Sequence, residues 1–412
     1  MIKRVSSIAL IAGALTVATR LGHAQSPPDP SNPFFDDTVI HEIRLSINSR
    51  DWAALKADFQ GNTYFPANMR WRDQVVRNLA VRFRGSGSRR PNKPSFRVDF
   101  NRYTDGQMFL GLKSFILRNN SQDASNMHER LAMAFFRRMG LPAVREAHTK
   151  VFVNNEDLGL YTIVESPDRD FLLKNFGENG GHLYEYDFDF AGFAVGTPFA
   201  FEDLGPDPAK YVPTLFKPQT LEDDPQGEVI ARFVRAINDG DAAGWRDAIA
   251  EFIDLPKFIR HMAVENFLAE EDGLTGDYGP NNFYLYRFVN TSRFQFIPWD
   301  KGNTFWETSY SIFRNINDGP DDKRNRLVLR AFQEPDLFQL YLDTLLECAA
   351  VSVDGAYLEA EVDRISEQIR PAALADTSLF TSDEFEQAVV DLRGFARDRA
   401  AAVQRQVAAA RP

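Results

Sequence analysis

The apolar pattern of this chain changes its period partway along, and that change limits the folds open to it. In the first part, apolar residues alternate over short runs. Thr38 to Ile47, Asn78 to Phe83 (NLAVRF), Ser95 to Phe100 (SFRVDF), Phe115 to Leu117 and Gly181 to Tyr186 read as strands. Lys150 to Val153 and Leu160 to Val164 flank the turn-rich Asn154-Asn155-Glu156-Asp157 and predict a hairpin. Two helices interrupt the strands. Ser49 caps one, with Trp52, Leu55 and Phe59 on a single face; the other runs from Ser125 to Met139 and stops at Gly140 and Pro142. In the second part the spacing turns helical over Gly227 to Ile237, Ala242 to Ile253 and Pro256 to Ala269. A polar hairpin, Asn282 to Phe288 and Arg293 to Ile297, carries Asn290-Thr291-Ser292 at its tip. Helices resume after Phe305 and run to Ala410, with an exposed loop at Gly319 to Lys323. The pattern predicts an α+β chain, β-rich over residues 38–220 and mainly helical over residues 221–412.

The N-terminus predicts export. Lys3 and Arg4 precede an apolar run, Ile8 to Ala18, too short to span a bilayer, and Gly22 and Ala24 suit cleavage before Gln25. Residues 1–24 read as a signal peptide and residues 25–37 as an unstructured mature N-terminus, leaving no membrane span after cleavage. A net charge of −11 argues against a nucleic-acid partner, which would call for a basic face. The single cysteine, Cys348, lies in an apolar helical stretch and cannot form an internal disulfide.

The densest polar constellation is FLAEEDGLTGDYGPNNFYLYR followed by RFQFIPWDKGNTFW. Asp272 and Asp277 lie in a glycine-rich loop. Asn282 opens one strand of the hairpin and Asp300 closes the other, so both can converge on one point. Carboxylate and amide oxygens suit a hard cation such as Mg2+, and a further acid beside it suits orienting a hydroxyl for phosphoryl transfer. A Ca2+ site without chemistry, or loop acids satisfied by backbone N–H groups, fits the spacing equally.

Arg84-Gly85-Ser86-Gly87-Ser88 joins two strands, with Arg89, Arg90 and Lys93 following. Backbone N–H groups of such a loop can cradle phosphate, although an ordinary basic hairpin loop has the same composition and no Walker A spacing is present. Glu165, at the end of GLYTIVE, is placed to pair with Lys93 across the sheet and hold it toward a phosphate, or to form a plain salt bridge.

RGSGSRRPNKPSFRVDF, LRNNSQDASNMHERLAMAFFRRMGLP, VFVNNEDLGLYTIVESPDRDFL, and NNFYLYR with FQFIPWD follow one another in the order seen in the spore-coat-H (CotH) kinase family. The chain resembles that family over roughly Thr38 to Trp306. The resemblance implies a two-lobed, atypical protein-kinase-like fold. It implies a secreted enzyme that uses ATP and Mg2+ to phosphorylate Ser or Thr of a cell-surface or periplasmic protein. Lys93 looks like the family's phosphate-contacting lysine and Glu165 like its partner. Arg84, Gly85, Ser86 and Ser88 fall where the phosphate loop should be. Asp272 resembles the catalytic acid by its F-L-x-x-x-D context, whereas Asp277 has the more usual spacing before the asparagine. Asn282 and Asp300 look like the metal ligands. Gly302 stands where relatives often carry a second acid, which leaves a weaker metal grip or a role for Asn303. Two other readings remain: a catalytically weak or inactive surface-binding module on the same fold, and a glycosidase using two of these acids.

Overall fold

A computed structural model describes residues 29–85, 87–186, 199–239, 242–317 and 324–411. The expected signal peptide, Ser86 and the Gly319 to Lys323 loop lie outside the described residues.

Seven strands form a closed barrel: β1 (His41–Ile47), β2 (Phe65–Trp71), β3 (Gln74–Arg84), β4 (Ser95–Asp99), β5 (Ser114–Arg118), β6 (Glu146–Val153) and β7 (Glu156–Glu165). Their order around the barrel is β1-β2-β3-β4-β5-β7-β6. The seam is the parallel pairing of β1 with β6, from His41 opposite Thr149 to Leu45 opposite Val153. Asn154 latches it: its side chain accepts the Ile47 N–H at 2.9 Å and donates to the Ile47 carbonyl at 2.7 Å. Alternation sends Ile43, Leu45, Val81, Phe83, Phe96, Val98, Phe115, Leu117 and Ile163 inward as one apolar core.

Residues 29–37, expected to be unstructured, are packed instead. Asn32–Phe34 form a helical turn, and Phe34 is fully buried in the barrel core. Its ring meets Trp71, Phe109 and Phe115 edge-on at 5.4, 5.3 and 5.0 Å. Burying a phenylalanine contributes about 1.5–3 kcal/mol, enough to order a short proline-bearing segment. The first long helix, α1 (Ser49–Ala57), is capped one residue earlier than expected, by Asn48, whose side chain accepts the Arg50 N–H at 2.9 Å.

Helix α2 (His128–Arg138) follows β5, and its Leu131, Phe135 and Phe136 join Ile116, Leu160 and Val164 from the barrel's outer wall in a second, larger core. That core also holds a four-stranded antiparallel sheet. Its strands are β8 (His182–Tyr186), β9 (Phe216–Pro218), β10 (Phe283–Arg287) and β11 (Phe294–Pro298), in the order β11-β10-β8-β9. This corrects two expectations. β8 and β9 precede residue 220, yet they pair with the hairpin rather than with the barrel, which ends at Glu165. The hairpin strands are buried along their length rather than polar, because helices cover them. Phe233 of α4 (Gly227–Asn238) lies 5.4 Å from Phe294, and Phe258 of α6 (Leu255–Phe267) lies 5.0 Å from Phe296. The remaining helices are α3 (Arg169–Phe176), α5 (Ala242–Ala250), α7 (Arg326–Ala331), α8 (Pro335–Val353), α9 (Tyr357–Ala375) and α10 (Ser382–Ala410). Cys348 is buried in α8. No helix among the described residues is long and apolar enough to cross a membrane.

Candidate active site

Antiparallel register of β10 and β11 sets Phe283 opposite Pro298. It brings Asn282 beside Trp299, whose N–H donates to the Asn282 carbonyl at 3.1 Å, with Asp300 one step further. Asn282 and Asp300 both take left-handed backbone angles, φ 59° and 51°, which turn the chain out of the strands. The loop after α6 delivers Asp272 to the same place. Asn281 donates to its carboxylate at 2.8 Å, and the Asn282 amide donates to its carboxylate and its carbonyl, both at 2.9 Å. Burial pushes the Asp272 carboxyl up to about 6 against the lowering effect of Asn281, and the negative Asp300 adds to the rise.

Asp277 is elsewhere engaged. Arg314 grips it through two bonds at 2.7 and 2.6 Å, and Asn315 donates to it at 2.9 Å. Of the two candidate acids, the structure brings Asp272 to Asn282.

Arg118 and Arg84 of the barrel meet this cluster, and Arg97 lies alongside, by Tyr284 and Glu185. Arg84 ends β3, Arg97 lies in β4 and Arg118 ends β5. Arg118 donates to Asp300 at 2.5 Å and also pairs with Glu129 on α2. Arg84 lies over the Trp299 ring at 5.4 Å and reaches Glu185 at 3.5 Å; Arg97 is within electrostatic reach of Glu185 and Tyr284. Burial would raise the Asp300 carboxyl, but contact with Arg118, helped by Arg84 and Lys301, holds it below the ordinary range. A third of the Asp300 side chain remains open to solvent. Behind it, Glu129 is pushed up to about 7 by burial, with Arg118 opposing the rise.

Side chains hold Gly85 and residues 87–93 in place. Gly85 has φ 98°, and a Cβ there would lie 2.4 Å from the Ser88 hydroxyl. Arg89 folds back to donate to Gly85, Gly61 and Asn62 at 2.7, 2.6 and 2.5 Å. Asn119, next to Arg118, donates to the Ser88 and Lys93 carbonyls at 3.1 and 2.7 Å.

The expected pairing of Lys93 with Glu165 is absent. The buried Lys93 ammonium pairs with Asp376, between α9 and α10, and Asp376 also accepts the Leu160 N–H at 2.7 Å. Glu165 pairs with Arg145 at 2.5 Å and Lys174 at 2.8 Å. Each charge is neutralised by a partner that burial made necessary, and neither is committed to the Asp300 cluster. The residues that the sequence reading missed are Arg118, Glu129 and Lys301. An arginine closing the apolar strand SFILR, followed by a helix that opens with HER, was the available signal.

Among the described residues, no group of three or more His, Cys, Asp or Glu is arranged to hold a metal ion. Asp300 and Asn282 offer oxygen donors only. They fit an ion such as Mg2+, which keeps waters and takes substrate phosphates as further ligands.

Strand-borne cations set against a carboxylate–amide cluster suit phosphate oxygens and a divalent cation. The chain belongs to the CotH kinase protein family, whose model matches residues 81–403. It is 25% identical over 333 residues to the inner spore coat protein H of Bacillus subtilis strain 168, covering 81% of this chain and 88% of that protein. It is 24% identical over 266 residues to Invasin CotH3 of Rhizopus delemar, covering 57% of this chain and 40% of the invasin. Among solved structures, the Helicobacter pylori proinflammatory kinase CtkA matches 78% of this chain and 96% of its own, at 13% identity and a TM-score of 0.34. Family membership supports a kinase-like function and implies the use of ATP.

Proposed function

We propose that this chain is an exported, Mg2+-dependent protein kinase that moves the γ-phosphoryl group of ATP to Ser or Thr of a periplasmic or surface protein. The carrying observation is the convergence of Asp272, Asn282 and Asp300 beneath the arginines of β3 to β5. In this reading the barrel is the nucleotide side of a two-lobed layout, and the second sheet with its helices is the catalytic side. Arg118, paired with Glu129 on α2, takes the part that a strand lysine and a helix glutamate play in protein kinases; Lys93 and Glu165 stand outside the transfer site. Arg84 and the Gly85 loop bind phosphate oxygens. Asn282 and Asp300 would hold Mg2+, which supplies neutralisation of charge on the transferred group. Asp272 takes the proton of the acceptor hydroxyl as its oxygen bonds to phosphorus and ADP leaves. Burial and orientation do most of the work.

Gly302 favours a second reading, a binding module with little turnover. A Cβ there would lie 4.0 Å from Asp300, so an acid at this position would reach the site, and this chain has none. The test is incubation of the purified protein with γ-labelled ATP, Mg2+ and extracytoplasmic proteins of the source cell, beside Asp300→Ala. Labelling by the parent alone supports the kinase. No labelling by either, with ATP still raising the melting temperature, supports the module. Export is tested by sequencing the N-terminus of secreted material, expected to begin at Gln25.

A further inference from the structure

Asp272 and Asp300 come from different stretches of chain, and something must fix their separation. The residue after Asp300 is Lys301, whose side chain is fully buried. Its ammonium lies 2.6 Å from Glu265 in the last turn of α6 and 3.9 Å from Glu270. The two glutamates use their other oxygens on the backbone of the Asp272 loop. Glu270 accepts the Asp272 N–H at 2.9 Å and Glu265 accepts the Leu274 N–H at 2.8 Å. Gly273 lets the loop pass this close: a Cβ there would lie 2.6 Å from the Glu270 side chain and 2.7 Å from Glu265. A parallel backbone tie, Glu271 N–H to the Asn303 carbonyl at 3.0 Å, joins the same two segments. Solvent does not reach the ammonium; Glu265 is its close partner, and Glu270, whose carboxyl burial pushes up to about 8, is the looser one.

Resting on the kinase reading above, we infer that Lys301 is a positioning residue: through Glu270 and Glu265 it sets the distance between the acid Asp272 and Asp300. The ammonium touches no reactant. It adds a buried ionic link to the backbone tie between the two segments, and misplacement of reacting groups by about 1 Å can cost roughly a hundredfold in rate.

The test is Lys301→Met combined with Glu265→Gln, which keeps the buried charge balanced. Turnover, KM for ATP and melting temperature are measured beside the parent. The expected result is a folded protein with kcat lowered about tenfold or more and KM for ATP within about threefold. If the double variant does not fold, Glu270→Ala, which removes the acceptor of the Asp272 N–H, reads the same link with the same expectation. A folded variant whose kcat stays within about twofold overturns the inference, as does a fall in kcat matched by a rise in KM, the mark of general loosening. Failure of both variants to fold assigns the network to stability alone and also overturns it. An inactive parent sinks the kinase reading and this inference together; an active parent with an unaltered variant sinks the inference only.

Discussion

At the scale of single residues, Arg118 ties a strand of the barrel to the acid cluster and to α2 at once. Arg118→Lys keeps the charge but loses the fork that serves two carboxylates. One charged hydrogen bond is worth about 1.5–3 kcal/mol, so KM for ATP is expected to rise about tenfold or more, read from initial rates across ATP concentrations. Asp272→Asn retains the side chain's shape and one of the two bonds its carboxylate accepts, from Asn281 or from Asn282. It is expected to lower kcat by about 10²–10⁴-fold while ATP affinity, followed by calorimetry, changes little. Unchanged turnover in that variant would move the proton-accepting role away from Asp272. The sequence exposed Asp272, Asn282 and Asp300 because hairpin ends are neighbours by register. It hid Arg118, which reads as a charge closing a buried strand. Its pairing of Lys93 with Glu165 differs from the structure for another reason: Asp376 lies far along the chain, and no local pattern announces such a partner.

At the scale of elements, the Lys93–Asp376 pair clasps the stem of the Gly85 loop to the turn between α9 and α10, aided by Asn92, which donates to the Ser378 carbonyl at 3.3 Å. Both side chains are nearly inaccessible, so removing one charge strands the other. Asp376→Asn is expected to cost about 3–5 kcal/mol in urea unfolding, and Lys93→Met with Asp376→Leu to recover most of it. ATP turnover in that double variant should match the parent's; a loss would return Lys93 to the nucleotide. Most barrel strands were legible from alternation. β2 was not, because Phe65–Trp71 contains a proline and carries polar residues on its open face. β9 has three residues and belongs to its sheet only through pairing with β8. Partnership between strands was the weakest part of the reading, since β8 carries the same local signal whichever sheet takes it.

At the scale of the whole molecule, buried carboxyls give stability a defined pH dependence. Glu129 is raised to about 7 and Glu146 is raised as well, burial being the largest cause in both. The folded state therefore holds protons that the unfolded chain has released above its ordinary carboxylate range. These groups stabilise the fold at low pH, and stability falls as pH rises through about 7. Asp29 and Glu265 are lowered to about 2, so their contribution is present above the ordinary carboxylate range and lost as pH falls through about 2. The melting temperature is expected to decline as pH rises from about 5 through about 7, and Glu129→Gln to flatten that decline. A melting temperature that rises across the interval would contradict this account.

The seam of the barrel also bears on how the chain reaches this state. β1 stays unpaired along one edge until residues 149–154 are available to meet it. Contacts of such span gather late and slowly, because the intervening loop must lose its freedom before any pairing rewards it. Closure of the seam is therefore expected to be the slow step, and Asn154→Ala to slow refolding in stopped-flow fluorescence as well as loosen the native barrel.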